Sequence, residues 1–392
     1  MKRVLVTGAS GFIGRNLVTA LRRRGDLDVL TCGRADPPGR MEELASTAEA
    51  VVHLAGVNRP ADENEFVTGN VELTRQLCRA LERAGRRATL ILTSSIQAEL
   101  DNPYGRSKRA AEVLAEAYQQ SAGAAVFIYR LPNVFGKWSR PHYNTVVATF
   151  CHQISRGLPV HISDPARRLR LVYIDDVVRS FEGVLLQPEV VPGCYRPVVE
   201  PEFSITLEEL HDRIVSFRDA GARGCVPDLS DPFQRALYAT YLSFCDPANL
   251  ARSVEIKRDA RGWLFELVKS VQAGQVFVSL TRPGVTRGHH YHDTKVEKFC
   301  VVQGRGRIRL RPVHGSEILE YEVDDETIRV VEIPPGYTHS IENIGSVDLI
   351  TLFWASEIFD PARPDTHPLP VTECGMEEDR PDTRMRTAQK HA

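Results

Sequence analysis

Val4 to Gly14 reads VLVTGASGFIG, and the fold of the chain is read outward from this stretch. Val4, Leu5 and Val6 are a short apolar strand. Thr7 to Gly11 make a turn, and Phe12, Ile13, Gly14, Leu17, Val18 and Leu21 begin an apolar helical stripe. Gly8 permits a tight turn, Gly11 lets backbone N–H groups approach a pyrophosphate, and Gly14 lets the helix sit close on the strand. Ser10, Phe12 and Ile13 lie between these glycines and join them as candidate cofactor contacts. A glycine triplet alone is weak evidence. Its place between a strand and an amphipathic helix is the context that a dinucleotide-binding turn requires.

Composition sets the bounds. With 392 residues the chain is too long for one compact core, which implies two domains. Lys and Arg number 49 and Asp and Glu 51, and a net charge of −2 argues against a nucleic-acid partner. No stretch approaches a membrane span, and the N-terminus enters Val4 with no secretory pattern, so no membrane partner is expected. The eight cysteines show no CxxC spacing and read as reduced thiols of a cytoplasmic protein.

Downstream, Asp28 to Cys32 is a second strand, and Arg34 follows Gly14 by twenty residues. An acid at that place would meet a ribose 2′-hydroxyl; an arginine suits the 2′-phosphate of NADP, and its plainer reading is a solvated surface residue. Ala50 to Gly56 (AVVHLAG) is a buried strand ending in Leu54, Ala55 and Gly56, as a cofactor-lining turn would; His53 reads as a satisfied core residue. A strand between Arg34 and Val51 is hard to place, because Pro37, Pro38 and Gly39 fill a short interval. Asn70 to Ala84 reads as a helix and Thr89 to Ser95 (TLILTSS) as a central strand. Nine residues after Ser95 comes YGRSK, with Tyr104 and Lys108 four apart on one helix face. An ammonium beside a phenol is expected to lower its pKa so that it can trade a proton with a carbonyl oxygen, and a serine hydroxyl can hold that oxygen.

These motifs, with RLPNVFG at Arg130 to Gly136, resemble the extended short-chain dehydrogenase/reductase family in content and order. The resemblance implies a Rossmann-type α/β parallel sheet, a nicotinamide cofactor, and Ser95, Tyr104 and Lys108 as the catalytic set, with Ser94 as competitor for the serine role. It implies Asn133 beside nicotinamide and substrate, and Arg168 or Arg170 on a nucleotide-sugar diphosphate. The family's adenine-contacting acid after the third strand is not evident. Ile96-Gln97 replaces the Asp-Glu pair of the sugar dehydratases, which favours plain ketone reduction.

Asp246-Pro247 marks a boundary, and beyond Val254 short alternating strands with Gly and Pro turns imply an all-β domain. Its centre is GVTRGHHYHDTKVEKFCVVQG, Gly284 to Gly304, followed by PPGYTH and Asn343. His290, His292, Glu297 and His339 can close around one divalent ion such as zinc, with manganese, iron or nickel accepting the same ligands; His289 is a spare. Both stretches resemble the motifs of the cupin family, which implies a jelly-roll barrel, although Ile328 replaces a common glycine. The expected organisation is thus residues 1–246, 247–372 and a disordered polar tail, 373–392.

Reductase followed by cupin resembles the CapF-type enzymes of capsular polysaccharide and O-antigen synthesis. The shared stretches include LYATYLSF, PPGYTHSIEN and FDPARPDT. That resemblance implies a homodimer acting on UDP-2-acetamido-2,6-dideoxy-4-hexulose. The cupin would invert C3 and the reductase would deliver NADPH hydride to C4, on the route to UDP-N-acetyl-L-fucosamine. Three rivals are a metal-stiffened dimerisation module in place of a catalytic cupin, a metal oxygenase, and an inactive NADPH sensor. Tyr291, Lys295 and Tyr337 lie near the cupin motifs, and none is assigned as base.

Overall fold

Strand β1 (Lys2–Thr7) sits inside a sheet of six parallel strands and is buried from Val4 onward. From one edge the order is β2 (Leu27–Cys32), β1, β3 (Ala50–His53), Thr89–Ser95, Ala125–Leu131 and Gly193–Tyr195. The structure is a computed structural model and describes residues 1–222, 225–253, 257–259, 262–264, 274–357 and 362–372. The tail expected to be disordered lies outside them.

Alternation along the strands explains the two layers of helices. Leu5, Val51, Leu90 and Val126 face the helices Leu73–Arg83 and Pro103–Ala122, while Val4, Val6, Val52 and Phe127 face α1 (Phe12–Arg22) and the helix Ile174–Leu185. Both faces are covered, as a parallel sheet requires. Only β2 lies outboard of β1. The interval with Pro37, Pro38 and Gly39 forms a turn and the short helix α2 (Arg40–Ala45), not a strand. Two prolines with no N–H to donate cannot extend the ladder there. The missing adenine-side acid therefore has no strand to stand on.

A second, three-stranded sheet joins Asn133–Phe135, Arg168–Tyr173 and Glu202–Thr206 beside the main one. Ser204 lies within the last of these strands, and the following helix runs Leu207–Ala222.

After the helix Pro232–Phe244, Asp246 caps a short turn and the chain becomes antiparallel β. One sheet runs Ala251–Ser253, Arg329–Ile333, Glu297–Gln303, Leu349–Ala355 and Gln275–Thr281. The other runs Leu319–Asp324, Arg305–Pro312, Tyr337–Asn343, Thr286–Tyr291 and His367–Pro368. Phe299, Val331 and Phe353 from the first share a core with Ile308, Leu310 and Ile341 from the second.

The two halves are pinned by charge. Lys137, only 2 % exposed, places Nζ 2.7 Å from Asp175 Oδ1 and donates to the Asp293 carbonyl at 3.1 Å. Arg23, just past α1, forms an ion pair with the Asp293 carboxylate and donates to the Tyr291 hydroxyl at 3.2 Å. Thr19 and the Trp138 ring both meet His314. Burial alone would lower the Lys137 pKa, but Asp175 and Asp293 outweigh it and raise it. Removing one partner from such a buried pair typically costs about 3–5 kcal/mol.

Candidate active site and metal centre

The glycine turn is built for close approach. Gly8 has φ +66°, and a Cβ there would lie 2.6 Å from the Ala55 nitrogen, because the turn after β3 crosses directly over it. A Cβ on Gly14 would come within 2.3 Å of the Gly8 carbonyl oxygen. Gly11 starts α1 with no side-chain cap, which leaves first-turn N–H groups available to an anion. Ser10 is exposed at this turn, and Phe12 and Ile13 are half-buried against the core. The Gly8 N–H donates to the Cys32 carbonyl at 2.8 Å, so exposed Arg34 emerges beside the turn. Asp36 accepts from the Gly33 N–H at 2.7 Å in the same bend. These features fit a bound dinucleotide.

The second wall is the carboxyl end of Thr89–Ser95. Asn102 caps the helix that carries Tyr104 and Lys108, accepting from the Gly105 N–H at 2.7 Å. Lys108 Nζ donates to the Thr93 carbonyl at 2.8 Å and lies near Gly56, at the end of the Leu54–Gly56 turn. Ser94 and Ser95 separate here: Ser94 Oγ donates to buried Glu112 at 2.5 Å, whereas Ser95 approaches the Tyr104 hydroxyl. The arrangement puts Ser95, not Ser94, with the tyrosine.

The electrostatics differ from the expectation. Burial raises the Tyr104 phenol, opposed by the Ser95 hydroxyl, with no lowering from Lys108. The ammonium is itself desolvated, its pKa lowered to about 8 by burial, with Glu112 opposing. A charge turned toward the Thr93 carbonyl does little for a phenol one helical turn away. His53 is a core residue, bonded by Thr7 at 2.7 Å and Thr74 at 3.1 Å, and burial lowers it to about 3.

The substrate candidates divide. Asn133 is exposed and donates to the Arg170 carbonyl at 3.3 Å. Arg170 pairs with both Glu202 oxygens, at 2.6 and 2.8 Å, and is therefore already engaged. Arg168 is exposed beside Glu209. Sequence reasoning missed Asn70, which is buried, accepts from the Val57 N–H at 2.8 Å and donates to Ser107 at 2.9 Å. It ties the Leu54–Gly56 turn to the Tyr104 helix.

In the β domain, His290 and His339 are direct cross-strand partners, and Glu297 enters from the opposite sheet. A bulge between Gly288 and His290 contains His289 at φ +58° and turns its ring toward the Val371 N–H. His289 thus leaves the cluster. One ligand atom from each of His290, His292, Glu297 and His339 lies within 4.8 Å of the others. His292 Nε2 is 3.1 Å and His339 Nε2 3.4 Å from the same Glu297 oxygen, yet both ring nitrogens are buried without a hydrogen bond. Convergent imidazole nitrogens with one carboxylate are the donor set of a divalent ion, and these residues fit one. Burial lowers His290 to about 4, while at His292 the Glu297 carboxylate outweighs burial and raises the pKa. His290, His292 and Glu297 line a cavity of about 390 Å³. Of the three unassigned groups, Lys295 lines it; Tyr291 turns to Arg23, and Tyr337 is not among the lining residues.

Residues 4–194 match the NAD dependent epimerase/dehydratase family, and residues 257–367 match the polysaccharide biosynthesis C-terminal domain. The chain is 43% identical over 371 residues to the UDP-2-acetamido-2,6-beta-L-arabino-hexul-4-ose reductase of Pseudomonas aeruginosa, covering 95% of this chain and 99% of that protein. The crystal structure of the capsular polysaccharide assembling protein CapF from Staphylococcus aureus aligns with a TM-score of 0.63 at 39% identity, over 94% of this chain and 99% of that one. A UDP-glucuronic acid 4-epimerase from Bacillus cereus, solved with NAD, shares the fold alone (TM-score 0.50, 20% identity, 55% of this chain and 84% of that one).

Proposed function

This chain belongs to the family of the Pseudomonas reductase and staphylococcal CapF, and from that premise we propose that it is a bifunctional nucleotide-sugar enzyme. Its reductase domain, residues 1–246, reduces the C4 ketone of a UDP-2-acetamido-2,6-dideoxy-4-hexulose with NADPH. Its second domain, residues 247–372, is a cupin barrel that epimerises C3 beforehand and gives the L-talose-configured product. The protein acts as a cytoplasmic homodimer. No described helix is long and apolar enough to cross a membrane. The observation that carries the reading is the grouping of Ser95, Tyr104 and Lys108 beside the glycine turn.

When bound, NADPH supplies a hydride. Gly8, Ser10, Gly11, Phe12, Ile13, Gly14, Leu54, Ala55, Gly56 and Lys108 would hold it, and Arg34 would take the 2′-phosphate. Tyr104 protonates the C4 oxygen as the hydride arrives, and Ser95 holds that oxygen in line. Asn133 and Arg168 position the sugar and diphosphate. A raised phenol pKa keeps Tyr104 protonated, as an acid must be before it acts.

A divalent ion, zinc first, would be held by His290, His292, Glu297 and His339 and would act as a Lewis acid. A ketone at C4 acidifies the C3 proton, so a base in the cavity can remove it, a proton returned to the opposite face inverts C3, and reduction then locks the configuration.

The exposed apolar edge strand, with Val276 52%, Val278 59% and Leu280 50% accessible, favours a second reading, in which the β domain only joins subunits. Full-length protein incubated with the 4-keto sugar in deuterated water separates the two. Deuterium at C3 without NADPH, then C4 reduction once NADPH is added, is expected by NMR. Reduction with no exchange at C3 would leave only the subunit-joining role, and no reduction would refute the main reading.

A further inference from the structure

The stretch FDPARPDT takes no part in the chemistry above. Its described part lies against the metal cluster. Asp365 Oδ1 accepts from the Asp293 N–H at 2.9 Å. Its Oδ2 accepts from the Thr294 N–H at 3.0 Å, the Thr294 hydroxyl at 3.0 Å and the Lys295 N–H at 2.8 Å. These three residues are the turn between His292 and the strand that begins at Glu297. The Asp365 carbonyl oxygen, meanwhile, accepts from His292 Nδ1. A carbonyl can only accept, so Nδ1 is the donor here and Nε2 is the ring atom turned toward Glu297 and His339, the one that a neutral ring would offer to an ion. The preceding carbonyl, of Pro364, takes the Lys295 ammonium at 2.7 Å. Asp365 does this with φ +40°, in the left-handed region that non-glycine residues seldom occupy unless their surroundings force it.

We propose that Asp365 is a positioning residue for the metal centre. One residue sets the tautomer and rotation of one ligand through its main chain, and fixes the turn leading to another ligand through its carboxylate. The proposal rests on the metal reading above and adds a residue that is not one of the four ligands. Such outer partners typically matter about 10–100-fold in metal affinity.

The test is competition for zinc between the full-length protein and a chelator of known affinity, with melting curves of the zinc-loaded and zinc-free forms. Asp365→Ala is expected to hold zinc about 10–100-fold more weakly. Asp365→Asn tolerates the left-handed backbone and keeps the main-chain carbonyl, and is expected to lose several-fold. Thr294→Val removes one hydroxyl donor at constant volume and is expected to lose least. Should Asp365→Ala fail to fold, the other two variants carry the test. The zinc-dependent rise in melting temperature should shrink in the same order. Folded variants that hold zinc as tightly as the unmutated protein, or that lose equal melting temperature with and without zinc, would overturn the proposal. If the unmutated protein takes up no zinc, it is the metal reading that fails.

Discussion

Lys108 rests on the Thr93 carbonyl and Ser95 accepts from the Gln97 N–H, whereas His292 and His339 each bury a ring nitrogen that has no hydrogen bond. The first site is satisfied by its own backbone and can exchange those partners for a ligand that comes and goes. The second turns buried imidazole nitrogens and one carboxylate toward one point, the donor set that a divalent ion would take. The difference is what the proposed reading expects of a site for a dissociating cofactor and a site for a resident ion, and it can be attacked experimentally from either side.

The largest expected effect is on the first site alone. Tyr104→Phe should slow ketone reduction by about 10²–10⁴-fold, the scale of a lost general acid, while zinc content and C3 exchange stay as they were. Near-normal turnover in a reduction assay would end the assignment.

His290→Ala inverts that experiment. Zinc retention should weaken by at least about a hundredfold, since losing a ligand exceeds losing an outer partner. Elemental analysis and the C3-exchange rate should both report it, with NADPH binding unaffected. Full metal occupancy in this variant would mean that the ligands are misassigned.

A third measurement exploits desolvation. Lys108 is lowered to about 8, so its ammonium is lost as pH rises through that value. If the charge is needed, kcat/KM for reduction should fall by about tenfold per pH unit above about 8. Its contribution to stability runs in the opposite sense. Between about 8 and the ordinary lysine value of about 10.4 the unfolded chain binds more protons, so stability rises with pH across that window. A flat kinetic profile from neutral to strongly alkaline pH would break the link.

The smallest effect belongs to exposed Arg34. Arg34→Ala should raise the KM for NADPH by roughly three- to tenfold, as for one solvent-screened charge-assisted bond, and leave NADH almost unchanged. Equal efficiency of the unmutated enzyme with both cofactors would refute the expected preference.

The same contrast governs what could be read from sequence. Tyr104 and Lys108 share a helix face, and Gly8 to Gly14 are one turn, so short-range spacing was enough to find them. The convergence of His290, His292, Glu297 and His339 could be anticipated because two of the three strands involved carry dense local signatures. The choice between Ser94 and Ser95 was not, because it depends on Glu112, from a helix packed beside the strand. The Lys137–Asp293 contact spans 156 residues, and no local pattern announces a lysine that meets its partner across a domain seam. The Tyr104 pKa went the other way for a related reason: spacing locates the ammonium but not the carbonyl it prefers. The lost outer strand, by contrast, was visible in Pro37 and Pro38, residues that cannot build one.

The seam also bears on how such chains can recombine. Arg23, Lys137 and Asp175 belong to the reductase half, and Asp293 to the β half. The segments on either side of Asp246 are therefore not independent of each other. A crossover there that brings in a foreign reductase would leave Asp293 without Arg23 and Lys137. Gene exchange within this family should move the two halves as a linked pair, or carry the three reductase residues along with the β half.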